Sequence, residues 1–546
     1  MTSSGQPTPA SALGNITHVI VLMFENRSFD HLLGAMPGVD GVLDPSGNVY
    51  SNLYNTEQPL TPGYKPRVYP TAIFPDIGNE QLPNNESTVF QGDSFNHDFS
   101  DAMLCDLYGP GTTGIIGGQP QNAPATTDPP TNSGFLVAPG NNTGPSPIAG
   151  VMSYFAWNSM QVFHALARNY VTCDAWHCDM PGHTAPNRAF MHCATTGDLG
   201  IDDNDDASLN PYPEKQGCER VNRRTIYEQI QNNNQTWKMY WMGSNCDTDW
   251  LNTKIFSQQY SAASKTQYNV TQVPMANLFS DLSNGTLPFY SFIMSFNDIG
   301  PEASMHPNAI VESGENLLAC VYNALRASDY WSNTLLIVNF DENGGLYDHK
   351  SVPAASPPDA NAPVSHWQWS PGQTVYSFDF SVLGLRTPVL LISPWLQAGI
   401  CSDQYQNTSI LRFLQDLLTP LQPGILSLTE RDLKAPSIAP AFDYANFGLT
   451  EMRTDCPSNL PLYIGTSSTP VITKAQITSV PTSEELAAPP APHICKITKK
   501  YLAGLPGHPD SGKPITRTFA TVGELRAYAK QRRDAALAAI RKGTAH

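Results

Sequence analysis

The stretch that most limits how this chain can fold is His18-Val19-Ile20-Val21-Leu22-Met23-Phe24, followed at once by Glu25-Asn26-Arg27-Ser28-Phe29-Asp30. A short apolar run bounded by polar residues predicts a strand buried on both faces, as in parallel sheets. Its polar end predicts chemistry, because ligands of open α/β sheets sit beyond the carboxyl ends of the strands. Asn26 is a good helix N-cap for a turn through Leu33 that Gly34 stops. The same design recurs at Thr334-Leu335-Leu336-Ile337-Val338-Asn339-Phe340, which runs into Asp341-Glu342-Asn343-Gly344-Gly345.

Between and after these runs, apolar stretches predict further strands over 170–176, 237–242, 289–296 and 387–393. Helical spacing predicts helices over 151–168, 224–230, 309–327 and 409–418. Strands alternating with helices through 15–450 give the α/β class. Residues 109–149 and 350–375 are rich in turn-forming residues and read as long surface loops, of the kind that form lids or binding walls. The organisation expected is a disordered lead over 1–14, a catalytic domain over 15–455 and a C-terminal extension over 456–546. That extension is first rich in Pro, Ser and Thr and then basic, with eleven Lys/Arg against three acidic residues from Lys496 onward, and a capping box at Thr521–Glu524 opens a helix.

The 546 residues carry a net charge of −17, which argues against a nucleic-acid surface. The ten cysteines include no Cys-x-x-Cys pair, so zinc-type spacing is absent, and both a disulfide-bonded and a reduced state stay open. Asn-x-Ser/Thr triplets, among them those at Asn26 and Asn407, are weak evidence of export in an Asn-rich chain. The first residues lack the pattern of a signal peptide, and no apolar run is long enough for a transmembrane helix, which leaves localisation undecided.

The strand ends supply Glu25, Asn26, Asp341 and Glu342. Oxygen donors without a His or Cys cluster suit Ca²⁺, Mg²⁺ or Mn²⁺ better than zinc or copper. Taken singly, each pair reads as a helix cap or a turn. Between them lies Pro181-Gly182-His183-Thr184-Ala185-Pro186-Asn187-Arg188, where Thr184 reads as the N-cap of a helix whose positive end would attract an anion.

Three motifs in order, Glu25 to His31, Pro181 to Arg188 and Asp341 to His349, resemble the phosphoesterase family of bacterial and plant phospholipases C and a related acid phosphatase. The resemblance covers about residues 15–420. It implies an alkaline-phosphatase-like three-layer fold, with a central mostly parallel sheet and helices on both faces. It also implies one divalent metal ion held by Glu25, Asn26, Asp341 and Glu342, with Thr184 as fifth ligand and nucleophile. His306 and His97 match family histidines that face the phosphate. In that scheme Asn187 and His97 stabilise charge on the phosphoryl oxygens, His306 protonates the leaving group, and a phosphothreonine is then hydrolysed by water. The activity implied is phospholipase C-like cleavage of phosphodiesters. The alternatives are an acid phosphatase acting on monoesters and a non-catalytic binding protein on a relic hydrolase fold. The expected partner is a phosphate ester or phospholipid, not a nucleic acid. The basic tail is read as wrapping the acidic domain, with peripheral membrane contact as the second reading.

Overall fold

The opening apolar run forms strand β1 (His18–Phe24), and its side chains alternate between two separate cores. Ile20, Leu22 and Phe24 enter one core, while Val19, Val21 and Met23 enter the other. This is the doubly buried strand that the sequence predicts. The structure, a computed structural model, describes residues 11–54, 67–70, 72–74, 99, 101–109, 111–123, 132, 134–135, 151–197, 223–242, 272–295, 301–307, 309–359, 364–367, 374–420, 427–466, 470–479, 515–525, 527–528 and 531–532.

Within these residues β1 is followed by α1 (Phe29–Leu33), α2 (Phe163–Asn169), β2 (Val171–Cys173), α3 (Thr184–Cys193), α4 (Ile226–Asn232), β3 (Trp237–Trp241) and β4 (Gln272–Pro274). Then come α5 (Ala276–Asn284), β5 (Tyr290–Met294), α6 (Val311–Ala327), β6 (Thr334–Phe340), β7 (Val389–Ile392), β8 (Gly399–Cys401) and α7 (Thr408–Leu418). The eight strands form one sheet in the order β4-β3-β5-β1-β6-β7-β2-β8. All pairings are parallel except those of β7, which is antiparallel to both β6 and β2. Apolar faces of α2, α5 and α6 pack on one side of the sheet, and those of α4 and α7 on the other. The result is the three-layer α/β architecture that the resemblance implies.

Three local expectations give way. Residues 151–168 are not one helix: Ser153–Phe155 is a strand paired with Ala72–Phe74, Asn158 has φ 72, and helix begins only at Phe163. Apolar residues in a stretch buried on several sides mimic a helical period, and the Trp157-Asn158 turn breaks it. The long loops at 109–149 and 350–375 are also not wholly irregular. Gly114–Ile116 and Gln119–Gln121 form a hairpin across Gly117-Gly118, both at positive φ, as a tight two-residue hairpin turn requires. That hairpin joins Tyr376–Phe378 and Ser365–Trp367 in a four-stranded sheet, so the two loops are built together.

The C-terminal extension, expected to start at 456, begins packed along α6. Asn316 donates to the carbonyls of Tyr463 (3.1 Å) and Ile472 (2.8 Å), and Asn323 to that of Leu460 (3.0 Å). Cys456, Leu460, Ile472 and Ile477 join the core on that side of the sheet. Cys105, Cys173, Cys178, Cys193, Cys320, Cys401 and Cys456 are all buried. No helix of the described residues is long and apolar enough to cross a membrane.

Candidate active site

β1 and β6 run parallel in register, Phe24 opposite Phe340, so Glu25 and Asp341 leave the sheet side by side. Asn26 then turns at φ 59, a left-handed conformation that Asn tolerates better than most residues. Its amide donates to Asp341 Oδ1 (3.0 Å), which also accepts from the Glu342 amide (2.8 Å). The second jaw folds back at Gly344, whose amide donates to Glu342 Oε2. A Cβ on Gly344 would stand 2.2 Å from the Asn26 carbonyl oxygen. The two strand ends are therefore in direct backbone contact, and Glu25, Asn26, Asp341 and Glu342 are all buried.

Thr184 comes from β2, two strands away, through the turn 178–183. That turn is braced from within and without. Asn187 Oδ1 accepts from the Met180 amide (3.1 Å), and its Nδ2 lies 3.2 Å from the carbonyls of Met180, Gly182 and His183. Asp179 accepts from the amide (3.0 Å) and hydroxyl (2.8 Å) of Thr408, and burial raises its pKa to about 6. Helix α3 starts with Thr184 as its first residue and His183 as the N-cap. Thr184 is half-buried, and its hydroxyl donates to Asn26 Oδ1 (3.3 Å). One turn along the same face, Arg188 reaches Glu25 Oε1 (2.7 Å) and Asp341 Oδ2 (3.2 Å).

The sequence-predicted set thus divides. Glu25, Asn26, Thr184, Asp341 and Glu342 come together. Asn187, expected at the phosphoryl oxygens, has its carboxamide committed to the backbone of 180–183 instead, so it shapes the turn that presents Thr184. Thr184 as N-cap is replaced by His183, because the chain is already helical at Thr184. Ser28, not Asn26, caps α1: its hydroxyl accepts from the His31 amide (3.3 Å). His306 is half-buried in the loop after β5, where the neighbouring Ser304 carbonyl accepts from the Glu25 amide (2.8 Å). His97 lies outside the described residues.

Four residues that the sequence reading assigned no role tie the site together. Arg188 carries the positive charge among the carboxylates. Arg27 grips the loop of His306. Asn407 donates to the carbonyls of Phe340 (3.2 Å) and Asp341 (3.3 Å) and accepts from the Trp176 indole (2.9 Å). It is wholly buried, so its Asn-x-Ser/Thr triplet is not a glycan acceptor in the folded chain. Arg386 lies between Asp30 and Asp348, 2.9 Å from each. The ligand atoms of Asp30, Asp348 and His349 lie within 4.8 Å of one another, a grouping able to hold a metal. Here Arg386 forms an ion pair with each carboxylate, and His349 Nδ1 is 2.8 Å from Asp30 Oδ2. Motif spacing hints at Arg27, Asp30, Arg188, Asp348 and His349, which lie inside the three motifs, but not at Arg386 or Asn407, which lie outside them.

A half-exposed hydroxyl at a helix N-terminus, over buried carboxylates at parallel strand ends, gathers oxygen donors where α/β folds place their ligands. Residues 16–419 match the model of the phosphoesterase family, and the chain belongs to that family. It is a phosphoric ester hydrolase. Non-specific phospholipase C3 of Arabidopsis thaliana is 29% identical, over 84% of this chain and 78% of that protein. Non-hemolytic phospholipase C of Burkholderia pseudomallei is 28% identical, over 73% of this chain and 55% of that one. Murine ectonucleotide pyrophosphatase/phosphodiesterase 5 overlays 51% of this chain and 97% of its own at 12% identity and a TM-score of 0.28, a likeness too remote to bear on function.

Proposed function

We propose that this phosphoesterase acts as a phospholipase C, cleaving the phosphodiester of a phospholipid or a related ester with Thr184 as nucleophile. The observation that carries the reading is the Thr184 hydroxyl, accessible and hydrogen-bonded to Asn26 at the positive end of a ten-residue helix. The names of the relatives favour the diester over the monoester.

The donor set fits a hard divalent cation. Three buried carboxylates, one carboxamide and one hydroxyl are all oxygen ligands, and Arg188 pairs with only two of the three carboxylates among the contacts described above. Glu25, Asn26, Thr184, Asp341 and Glu342 would hold one such ion, Ca²⁺, Mg²⁺ or Mn²⁺. Bound there, it would favour the alkoxide of Thr184 and offset charge on the phosphoryl oxygens.

The chain's own groups supply the rest. Thr184 Oγ1, its proton released to solvent, attacks phosphorus in line, and the bond to the leaving alkoxide breaks, giving a phosphothreonine. His306 gives the leaving oxygen a proton, which it regains from solvent, and water then hydrolyses the phosphothreonine. His97 serves the phosphoryl oxygens. Asn187 and Asp179 hold the turn that aims Thr184. The basic stretch after Lys496 is the segment that would approach a lipid surface.

Turnover of p-nitrophenyl phosphorylcholine, p-nitrophenyl phosphate and phosphatidylcholine micelles by the wild type, Thr184→Ala and Thr184→Ser tests this. Thr184→Ala should lose at least ~1,000-fold in kcat, with Thr184→Ser retaining part of it. Full activity in Thr184→Ala would sink the mechanism. A clear preference for the monoester would replace the phospholipase reading with a phosphatase one.

A further inference from the structure

Arg27 belongs to the opening motif but not to the donor set, and its guanidinium is fully buried. Each of its nitrogens has a task. Nε donates to the Met305 carbonyl (2.6 Å), Nη2 to the His306 carbonyl (3.2 Å), and Nη1 lies 2.9 Å from His31 Nε2. His31 Nδ1 lies 2.8 Å from the Ser153 carbonyl, which can only accept. Nδ1 is therefore the protonated nitrogen, and Nε2 is left to accept from Arg27. Burial, and then the charge of Arg27, hold the His31 pKa well below its ordinary value, in keeping with that neutral form.

The loop that Arg27 grips is bent at Met305, a buried residue with φ 64. Left-handed backbone is uncommon for a side chain of this size. Gly314 of α6 makes room for it: a Cβ there would stand 2.3 Å from Met305 Cγ. On the near side, the Glu25 amide holds the Ser304 carbonyl. The loop is thus fixed at Ser304 by the Glu25 amide, and at Met305 and His306 by Arg27, two residues further along the same strand end.

We propose that Arg27 is a positioning residue for His306. By clasping the carbonyls on either side of the His306 Cα, just after the left-handed Met305, it sets the direction in which His306 leaves the loop. His31 keeps the guanidinium in that place from behind. The proposal rests on the role given to His306 above, the protonation of the leaving oxygen.

An acid that protonates the leaving group matters in proportion to the basicity of that group. Nitrophenolate leaves without help, and an alkoxide does not. The test compares p-nitrophenyl phosphorylcholine with hexyl phosphorylcholine, or the matching phosphates should the wild type prefer monoesters. The variants are His306→Asn, Arg27→Gln, Arg27→Lys, His31→Leu and His31→Gln, each checked for wild-type circular dichroism. His306→Asn should lose at least ~100-fold in kcat on the hexyl ester and little on the nitrophenyl ester. Arg27→Gln and His31→Leu should show the same selective loss with KM nearly unchanged. Arg27→Lys should recover little, since it cannot span both carbonyls. His31→Gln, which keeps a donor and an acceptor, should recover most. Equal losses on both esters in Arg27→Gln, or none, would overturn the proposal while leaving His306 in place. Absence of selectivity in His306→Asn would remove the role of His306, and the clamp with it.

Discussion

At the scale of single residues, the site depends on two backbone positions. Asn26 can present its carboxamide to Thr184 and its amide to Asp341 only by adopting φ 59, and Gly344 allows this by having no side chain at φ 67. Gly344→Ala therefore meets two penalties, the left-handed conformation and a contact of 2.2 Å with the Asn26 carbonyl. It should destabilise the protein by about 3 kcal/mol, read from a urea midpoint, and abolish turnover. A second residue-scale prediction concerns His349, which stacks on Tyr50 (4.2 Å) and lies between Asp30 and Asp40, near Asp348, Lys350 and Arg386. Burial alone would lower its pKa, but the bond to Asp30 and the charges of Asp30 and Asp348 raise it above 6.5. A raised folded pKa means that the stabilisation is complete below the unfolded value and fades as pH rises through the folded one. His349→Gln should thus cost more stability at pH 5 than at pH 9, measured as thermal midpoints across that range. An equal cost at both ends would remove the charge on His349 from the account.

At the scale of elements, legibility followed the length and uniformity of the apolar pattern. β1, β6, α6 and α7 were readable because each is a single run against one or two cores, and the pattern is dictated by burial. The stretch 151–168 was not, because its apolar residues serve a strand, a turn and a helix in succession. The antiparallel direction of β7 was invisible as well: a fully buried strand reads the same in either direction. Caps were misplaced by a residue or two at Asn26 and Thr184, since Asn, Ser, Thr and His near a helix start compete for a position that only the backbone angles decide. The packing of the segment after 456 along α6 is not legible, because scattered apolar residues and polar side chains hold it together. Asn316, Asn323 and Ser313 of α6 bind backbone groups of 460–472, and Tyr463 reaches Glu315, whose pKa burial raises to about 7. Asn316→Ala would leave the Tyr463 and Ile472 groups unpaired, at a cost of about 1–3 kcal/mol. Faster proteolytic cleavage within 456–479, at unchanged cleavage elsewhere, is the expected signature.

At the scale of the whole molecule, the candidate donors stand out as motifs, but their mutual contacts do not, because the fold joins residues as far apart as Asn26 and Asp341, 315 positions distant. Charge balance is likewise a property of the assembled chain. The sequence shows Glu25, Asp341 and Glu342 as acids near apolar runs. Only the fold shows that all three are buried together with a single turn of α3 bringing Arg188 against two of them. Burying carboxylates without matching cations is costly, and a divalent ion among hard oxygen donors offsets that cost. The protein should accordingly be less stable after chelation, whatever substrate it takes. Ligand that binds only the folded state adds about 2.7 kcal/mol at a hundredfold excess over its Kd. Returning Ca²⁺, Mg²⁺ or Mn²⁺ to chelated protein should raise the thermal midpoint, one ion per chain by titration. The rise should vanish in an Asp341→Asn, Glu342→Gln double variant, which keeps shape and removes charge. This measurement needs no turnover, so it separates the ion's place in the fold from its part in the reaction. If none of the three ions moves the midpoint of the wild type, the donor set does not bind a cation, and Arg188 alone must balance the carboxylates.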